Sequence, residues 1–446
     1  DLSGGTTVNN GRVGFFSDLY YDPNRKEWWA LSDRGPGGGT ISYDTRVHRF
    51  SLDVNAQTGA ISNFQLQQTL LFRNNGVVFN GLAPNPANVL GNSLDPEGFV
   101  VHPKTGNFYL SDEYGPALLE FNRTGQLLRQ FNVPASLTPK LGANVNYNAN
   151  PVPGSSGREP NRGLEGLAIS PDGRFLYAML QNGLVADGNF TGSTFNRSMY
   201  TRILKFDTGS GNVVGQYAYR LDGSGTTPAQ GRGISALVAL DDNRFMVLER
   251  NNRGLGVPNA NLDSPDKKVY IIDLSAATDV TGINLNTLSP SGVQPVAKAS
   301  LPLLDLAASG PLSHPSLAGL GGIAPEKWEG LAVGPQLADG SYLLLSGTDN
   351  DFSVTQNGSN IQFDVYFKPA TGERVQCDLG LATNCIRINS SGNTFGPSIS
   401  ALPSGYSLIP GVLAAYKVSA QDLGGYKAPQ GVPGPLPLFG IAAGWS

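Results

Sequence analysis

One pattern recurs five times along the 446 residues: a short apolar strand, a tight polar turn and a second apolar strand, with charged or polar residues clustered at the open end of the hairpin. It reads VGFFSDLYYDPNRKEWWALSDRG (13–35), LDPEGFVVHPKTGNFYLSDEYG (94–115), NRGLEGLAISPDGRFLYAML (161–180), GISALVALDDNRFMVLERNNRG (233–254) and KWEGLAVGPQLADGSYLLLSGTDND (327–351). A chain that repeats one hairpin must fold as a stack or a ring of equivalent units, because no single copy can bury its own apolar faces. Further alternating strands follow several copies, as in ALLEFNRTGQLLRQF (117–131) and TRILKFDTGSGNVVGQYAYRL (201–221), so the unit is four antiparallel strands.

Four-stranded units recurring at intervals of roughly 70 to 90 residues predict an all-β fold, a β-propeller whose blades place their first strands around a central channel. Composition agrees: Gly (57) and Pro (31) make up about a fifth of the chain and charged residues only 15%, which suits short strands and tight turns rather than long helices. Five blades are countable. The fifth has an inner hairpin and a third strand at GVLAAYKV (411–418); its outer strand would come from the amino terminus, or a degenerate sixth blade would lie within 251–325 and 352–410. The propeller is assigned residues 1–425, with insertions at about 254–325 and 352–410, and 426–446 is read as a Pro/Gly-rich tail.

Hairpin geometry pairs residues symmetrically about the turn. It sets Glu97 opposite Asp112, Glu165 opposite Gln181, Asp18 opposite Asp33, Ser235 opposite Glu249 and Glu329 opposite Asp349, each pair at the end away from its turn. These pairs should gather at one channel mouth, with Glu165 at a water-accessible rim rather than in a core. The expected set is Asp18, Asp33, Glu97, Asp112, Glu113, Glu165, Glu249, Glu329 and Asp349, interleaved with Arg34, Arg162, Arg250, Arg158 and Arg232. Converging carboxylates raise one another's pKa unless cations intervene. A carboxylate-rich site poor in His and Cys suits a hard cation with oxygen ligands, Ca²⁺ above all. Arginine forks beside it match phosphate or carboxylate oxygens. The competing reading is structural, with Arg–carboxylate pairs tying neighbouring blades together.

Other classes are excluded or left weak. A formal charge of −4 offers no basic footprint for nucleic acid. No run of 18 apolar residues spans a membrane. Three scattered histidines and two cysteines cannot build a zinc site. Cys377 and Cys385, close together in a polar stretch, are expected to form a local disulfide in an exported protein, and a start at Asp1 without Met agrees with a removed signal peptide. No Gly-x-Ser-x-Gly elbow appears. The paired Trp28 and Trp29 are read as blade packing.

The motifs SDRG (32–35), DPEG (95–98), SDEYG (111–115), NRGLEGLAISPDG (161–173), LER (248–250) and KWEGLAVGP (327–335) resemble the phytase-like family described as "esterase-like activity of phytase", exported propeller proteins. The resemblance implies a hydrolase of phosphoric esters, acting on a small anionic ester at the channel mouth. In that reading Glu97, Glu165 and Glu329 are catalytic, and Arg34, Arg162 and Arg250 hold the substrate. The metal ligands are Asp33, Glu97, Asp112, Glu113, Glu165, Glu329 and Asp349. Gln181 with Asn182, and Ser235, stand where other copies carry acids, which argues against a symmetric metal ring. The alternatives are a non-catalytic surface propeller that binds a ligand or partner, and a metal-dependent lactonase. VPGPLPLFGIAAGWS (432–446) resembles the start of a bacterial PEP-CTERM sorting signal without its basic end, which implies a cell-surface, periplasmic or secreted protein.

Overall fold

The structure is a computed structural model that describes residues 13–224, 227–228, 231–258, 261–286, 292–308, 312–356 and 361–431. The sorting-signal motif at 432–446 and the amino-terminal strand expected to complete the fifth blade lie outside these residues.

Five antiparallel sheets form the blades of a propeller. Their innermost strands are Asp18–Asp22, Pro96–Val101, Leu164–Ile169, Gly233–Ala239 and Trp328–Gln336. Each packs on the next, and the fifth packs on the first, so the ring closes at five. The first three blades have four strands in sequence order, and the fourth adds two short outer strands to Lys267–Asp273. That last strand lies within the segment expected to be an insertion, but it is the third strand of its blade. Among the described residues the fifth blade has three strands, ending with Leu413–Val418.

No sixth blade occurs among the described residues. The segment after Asp351 instead folds into a sheet of its own, from Val354–Gln356 to Thr394–Ala401 with Ser407–Leu408 added at the side. Cys377 and Cys385 are disulfide-bonded across two of its strands. This sheet flanks the mouth: Phe352 packs on Tyr43 from the first blade, and Arg374 donates to the Gly256 carbonyl at 2.7 Å.

The apolar runs in the sequence follow from burial on both faces of every blade. Trp28 and Trp29 show it best, since neighbours on a strand point to opposite faces. Trp28 packs toward the fifth blade with Leu343 and Leu345, while Trp29 packs toward the second with Phe99 and Phe108. Equivalent layers fill the other three interfaces: Val100 and Tyr109 with Leu167 and Leu176, Tyr177 and Met179 with Leu237 and Val247, and Met246 and Leu248 with Trp328 and Leu331.

At the turn end, residues assigned to a tail cross the ring. Lys427 N donates to Leu240 O (2.8 Å), Gln430 N to Pro171 O (2.7 Å) and Gly431 N to Asn24 Oδ1 (2.9 Å). Tyr426 and Pro429 meet the apolar channel wall formed by all five inner strands. No helix among the described residues is long and apolar enough to cross a membrane.

Candidate functional site

The mouth is built by a repeated irregularity. In four blades the inner strand carries one extra residue at its start, a β-bulge, and that residue is Glu97, Glu165, Ser235 or Glu329. Bulges re-aim a side chain out of the ladder, so these residues turn toward the axis and face no partner across the hairpin. The glycine that follows the acid permits it. A Cβ on Gly98 would sit 2.6 Å from Leu167 Cβ, and one on Gly166 2.8 Å from Leu237 N, because the neighbouring inner strand passes directly over. In the first blade the matching position is Ser17, whose hydroxyl donates to Glu97 Oε2 at 2.6 Å.

The observed register corrects the expected pairs, through the bulge in the second blade and without one in the first. Pro96, not Glu97, lies opposite Asp112, and Asp18 lies opposite Leu31 rather than Asp33. Asp18 points between blades and accepts from Phe99 N (2.7 Å) and Leu19 N (2.8 Å), away from the mouth. Asp112, expected as a metal ligand, is a backbone cap. It accepts from the amides of Asp95 (2.8 Å), Gly115 (2.7 Å) and Tyr114 (3.3 Å), which commits both of its oxygens to backbone donors. Glu249 is a tie between the third and fourth blades, bonded to Tyr219 (2.7 Å), Arg232 (3.1 Å) and Lys298 (2.7 Å). Glu165 is not at an open rim: it is 3% exposed, at the floor of the mouth.

Three overlapping acid groups remain, each bringing carboxylate oxygens within 4.8 Å of one another: Asp33 with Asp349 and Asp351, Asp33 with Asp95 and Glu97, and Glu97 with Glu113 and Glu165. The first holds an ammonium, since Lys327 Nζ lies 2.5 Å from Asp349 Oδ2 and 3.0 Å from Asp351 Oδ1. The second holds a guanidinium, with Arg34 Nη1 2.8 Å from Asp95 Oδ2. The third is served by neutral donors: the Ser17 hydroxyl to Glu97, Gly163 N to Glu113 Oε1 (3.0 Å) and Gln181 Nε2 to Glu165 Oε1 (3.1 Å). Arg158 lies beside it, but its bonds go to the carbonyls of Glu113, Tyr114 and Tyr147.

Glu113 and Glu165 bring carboxylate oxygens within 4.8 Å of each other, and Oε2 of each is buried with no donor. Two carboxylates can meet this way only with a proton or a cation between them. Burial first, and then the neighbouring acids, push Glu97, Glu113 and Glu165 above the usual carboxylate range. Burial likewise lifts Glu329 to about 7, although Lys327 and Arg250 oppose it. Oε2 of Glu329 also lacks a partner.

The opposite side of the mouth is cationic. A cavity of about 170 Å³ between the third, fourth and fifth blades is lined by Arg162, Gln181, Arg250, Asn252 and Lys327. Arg250 is already paired, with Ser235 (2.7 Å), Glu326 (3.3 Å) and Glu329. Arg162 differs, because it donates to neutral amides, Gln181 at 3.0 Å and Asn182. Burial and the nearby Arg197 lower its pKa, the mark of a cation short of counter-charge.

Of the sequence-derived set, Asp33, Glu97, Glu113, Glu165, Glu329, Asp349, Arg34, Arg162 and Arg250 lie around the mouth. Asp95, Lys327, Asp351 and Ser17 were missed. Ser17 holds the bulge position of the first blade, and Asp95 and Lys327 each stand two residues before a bulge acid in the aligned repeats, a signal the sequence did carry.

A family model described as "Esterase-like activity of phytase" (phytase-like) matches residues 11–352, which take in the mouth and stop before the flanking sheet. A relative from Arthroderma benhamiae, described as "Uncharacterized secreted protein", is 26% identical over 424 residues, covering 77% of this chain and 81% of its own. Among solved structures, Pseudomonas aeruginosa periplasmic gluconolactonase is 12% identical with a TM-score of 0.30, covering 90% of this chain and 87% of that one. The Dos1 propeller is 11% identical with a TM-score of 0.27, covering 86% and 70%. Likeness at that level carries nothing about chemistry. The family match spans most of the chain, and on that ground the chain belongs to the phytase-like family described as "esterase-like activity of phytase".

Proposed function

We propose that the mouth is a cation-dependent hydrolytic site for small phosphoric esters, in a protein that works outside the cell. The observation that carries the reading is the approach of the Glu113 and Glu165 carboxylates to within 4.8 Å, two buried acceptors with no donor between them. Glu97, Glu113 and Glu165 suit a hard divalent ion, with Ca²⁺ the first candidate, since that ion takes six to eight oxygen ligands at about 2.3–2.6 Å. When bound, such an ion supplies Lewis-acid polarisation of an ester oxygen and eases deprotonation of water.

The chain's own residues divide the remaining work. Arg162, lacking an anionic partner, binds the non-bridging oxygens of the ester in the cationic cavity, aided by Gln181 and Asn252. Arg250 orients Glu329. Glu329, with one free oxygen and a pKa of about 7, holds or accepts a proton near neutral pH. The membership described by esterase-like activity and the relative described as secreted support the chemistry and the location, and a buried disulfide fits an oxidising compartment.

A second reading, a non-catalytic binding propeller, is favoured by the pairing of Arg34, Arg250 and Lys327 with carboxylates. One assay separates the two. A generic phosphomonoester, a phosphodiester and a lactone are offered with Ca²⁺ and with chelator, to the native protein and to Glu165→Gln. We expect calcium-dependent phosphate-ester turnover that falls at least a hundredfold in the variant while the fold persists. Absence of turnover with any metal, or turnover equal in the variant, refutes the proposal; lactone cleavage without phosphate release changes the substrate class.

A further inference from the structure

The three acid groups of the mouth are geometrically alike but not electrically alike. Asp33, Asp349 and Asp351 bring oxygens as close together as Glu97, Glu113 and Glu165 do. What differs is the occupant. Lys327 sends its ammonium between Asp349 Oδ2 and Asp351 Oδ1 at 2.5 and 3.0 Å, and lies 3.7 Å from Glu329 Oε1. Those are ordinary charge-assisted contacts, and they give Asp349 and Asp351 a counter-charge while Asp33 accepts from Gly35 N at 2.8 Å. In the other group Glu113 Oε2 and Glu165 Oε2, on side chains 1% and 3% exposed, have no donor at all.

We infer that Lys327 acts as a built-in cation that fills the place of a second divalent ion, so that the mouth takes one ion, at Glu97, Glu113 and Glu165. This rests on the cation-dependent reading above and adds its stoichiometry and the residue that sets it. A pair of ions clamping an ester from both sides requires two open acid groups. Here the second is closed by a side chain that cannot dissociate. The fixed ammonium adds a hydrogen-bond donor at the edge of the cavity that holds Arg162 and Arg250, so the ester meets one exchangeable cation and a permanent one. The ammonium is compact enough to lie between two carboxylates spaced for a metal ion.

The test is calcium titration by calorimetry on protein stripped with chelator and returned to calcium-free buffer at pH 7.5. The native chain should bind one ion, Glu165→Gln none, and Lys327→Met two, with thermal stability lost in Lys327→Met and recovered as calcium is added. Lys327→Arg, which keeps the charge, should stay at one. Two ions in the native chain, or still one in a folded Lys327→Met, overturns the inference while leaving cation dependence standing. No ion in the native chain overturns the cation-dependent reading itself. Should Lys327→Met fail to fold even in calcium, the native and Lys327→Arg stoichiometries decide.

Discussion

Lys267 shows how much the charge at this end of the propeller costs when it is not used for chemistry. Its side chain is fully buried, and Nζ bonds the side-chain oxygen of Asn251 at 2.9 Å and the Asn251 carbonyl, without a carboxylate in contact. Burial, and then the nearby Arg250, bring its pKa down to about 7, with Glu326 and Asp266 only partly offsetting this. A lysine depressed in the folded state binds fewer protons there than when unfolded, so its penalty is full below about pH 7 and fades as pH climbs toward the unfolded value. Removing the charge should therefore help most at low pH. Lys267→Met is expected to gain roughly 1–3 kcal/mol at pH 6.5, and the gain should shrink steadily by pH 9.5 in urea denaturation series. A gain independent of pH would mean that the lysine stays charged in the folded state with an unshifted pKa. Glu113, Glu165 and Glu329 differ in that each leaves a carboxylate oxygen buried without a donor, an arrangement that stability alone does not explain.

At the scale of elements, the blade hairpin was legible and its register was not. Alternating apolar residues and Asp-Gly or Lys-Thr-Gly turns fixed the strands, because pattern and turn chemistry are local. In four blades the expected pairs slipped since the inner strand begins with a bulge, and an extra residue breaks the symmetry on which turn-centred pairing depends; the first blade has no bulge, and its turn is centred one residue earlier than expected. Asp112 is thereby a cap rather than a ligand, and the register of the unbulged first blade keeps Asp18 out of the mouth. Acids followed by glycine, Glu97, Glu165 and Glu329, were identifiable because the glycine is forced by the neighbouring strand. Asp351 was not, since its place depends on where the flanking sheet leaves the fifth blade. That sheet packs Val365, Phe367 and Ile388 into the core of the fourth and fifth blades, and its outer part is tied locally: the disulfide joins Arg374–Asp378 to Thr383–Ile388, with Val375 buried beside it. Closing so short a loop is worth about 2–3 kcal/mol in the chain-entropy model. Cys377→Ser with Cys385→Ser should accordingly speed amide exchange across 362–401 and leave exchange in the inner strands unchanged, as read by hydrogen–deuterium exchange mass spectrometry. Equal loosening of the blades would show that the flanking sheet supports the ring.

For the whole molecule, ring closure is the weak point, and its remedy lies at the face opposite the site. Propellers leave short, protected strand edges and depend on the last blade docking onto the first. Here that seam rests on Leu19, Trp28 and Phe50 packed against Ala332, Leu343 and Leu345, and among the described residues its fifth blade has three strands. The segment 426–431 bonds to turns of the fourth, third and first blades and sets Tyr426 edge-on to Tyr342 of the fifth, 5.3 Å between ring centres. Four of five blades are thus tied by one extended strap, whose Tyr426 and Pro429 also line the apolar channel at the end away from the acids. Tyr426→Ala removes the aromatic contact and its part of the channel lining, at an expected cost of about 2–4 kcal/mol. It should lower the thermal midpoint and raise exchange first in Asp18–Asp22 and Trp328–Gln336, the two strands at the seam. Calcium affinity of the folded variant should stay within about twofold of native, because the acids sit at the far end of the inner strands. Loss of calcium binding together with stability would instead mean that strap and mouth are one cooperative unit, with closure of the ring setting the spacing of its acids.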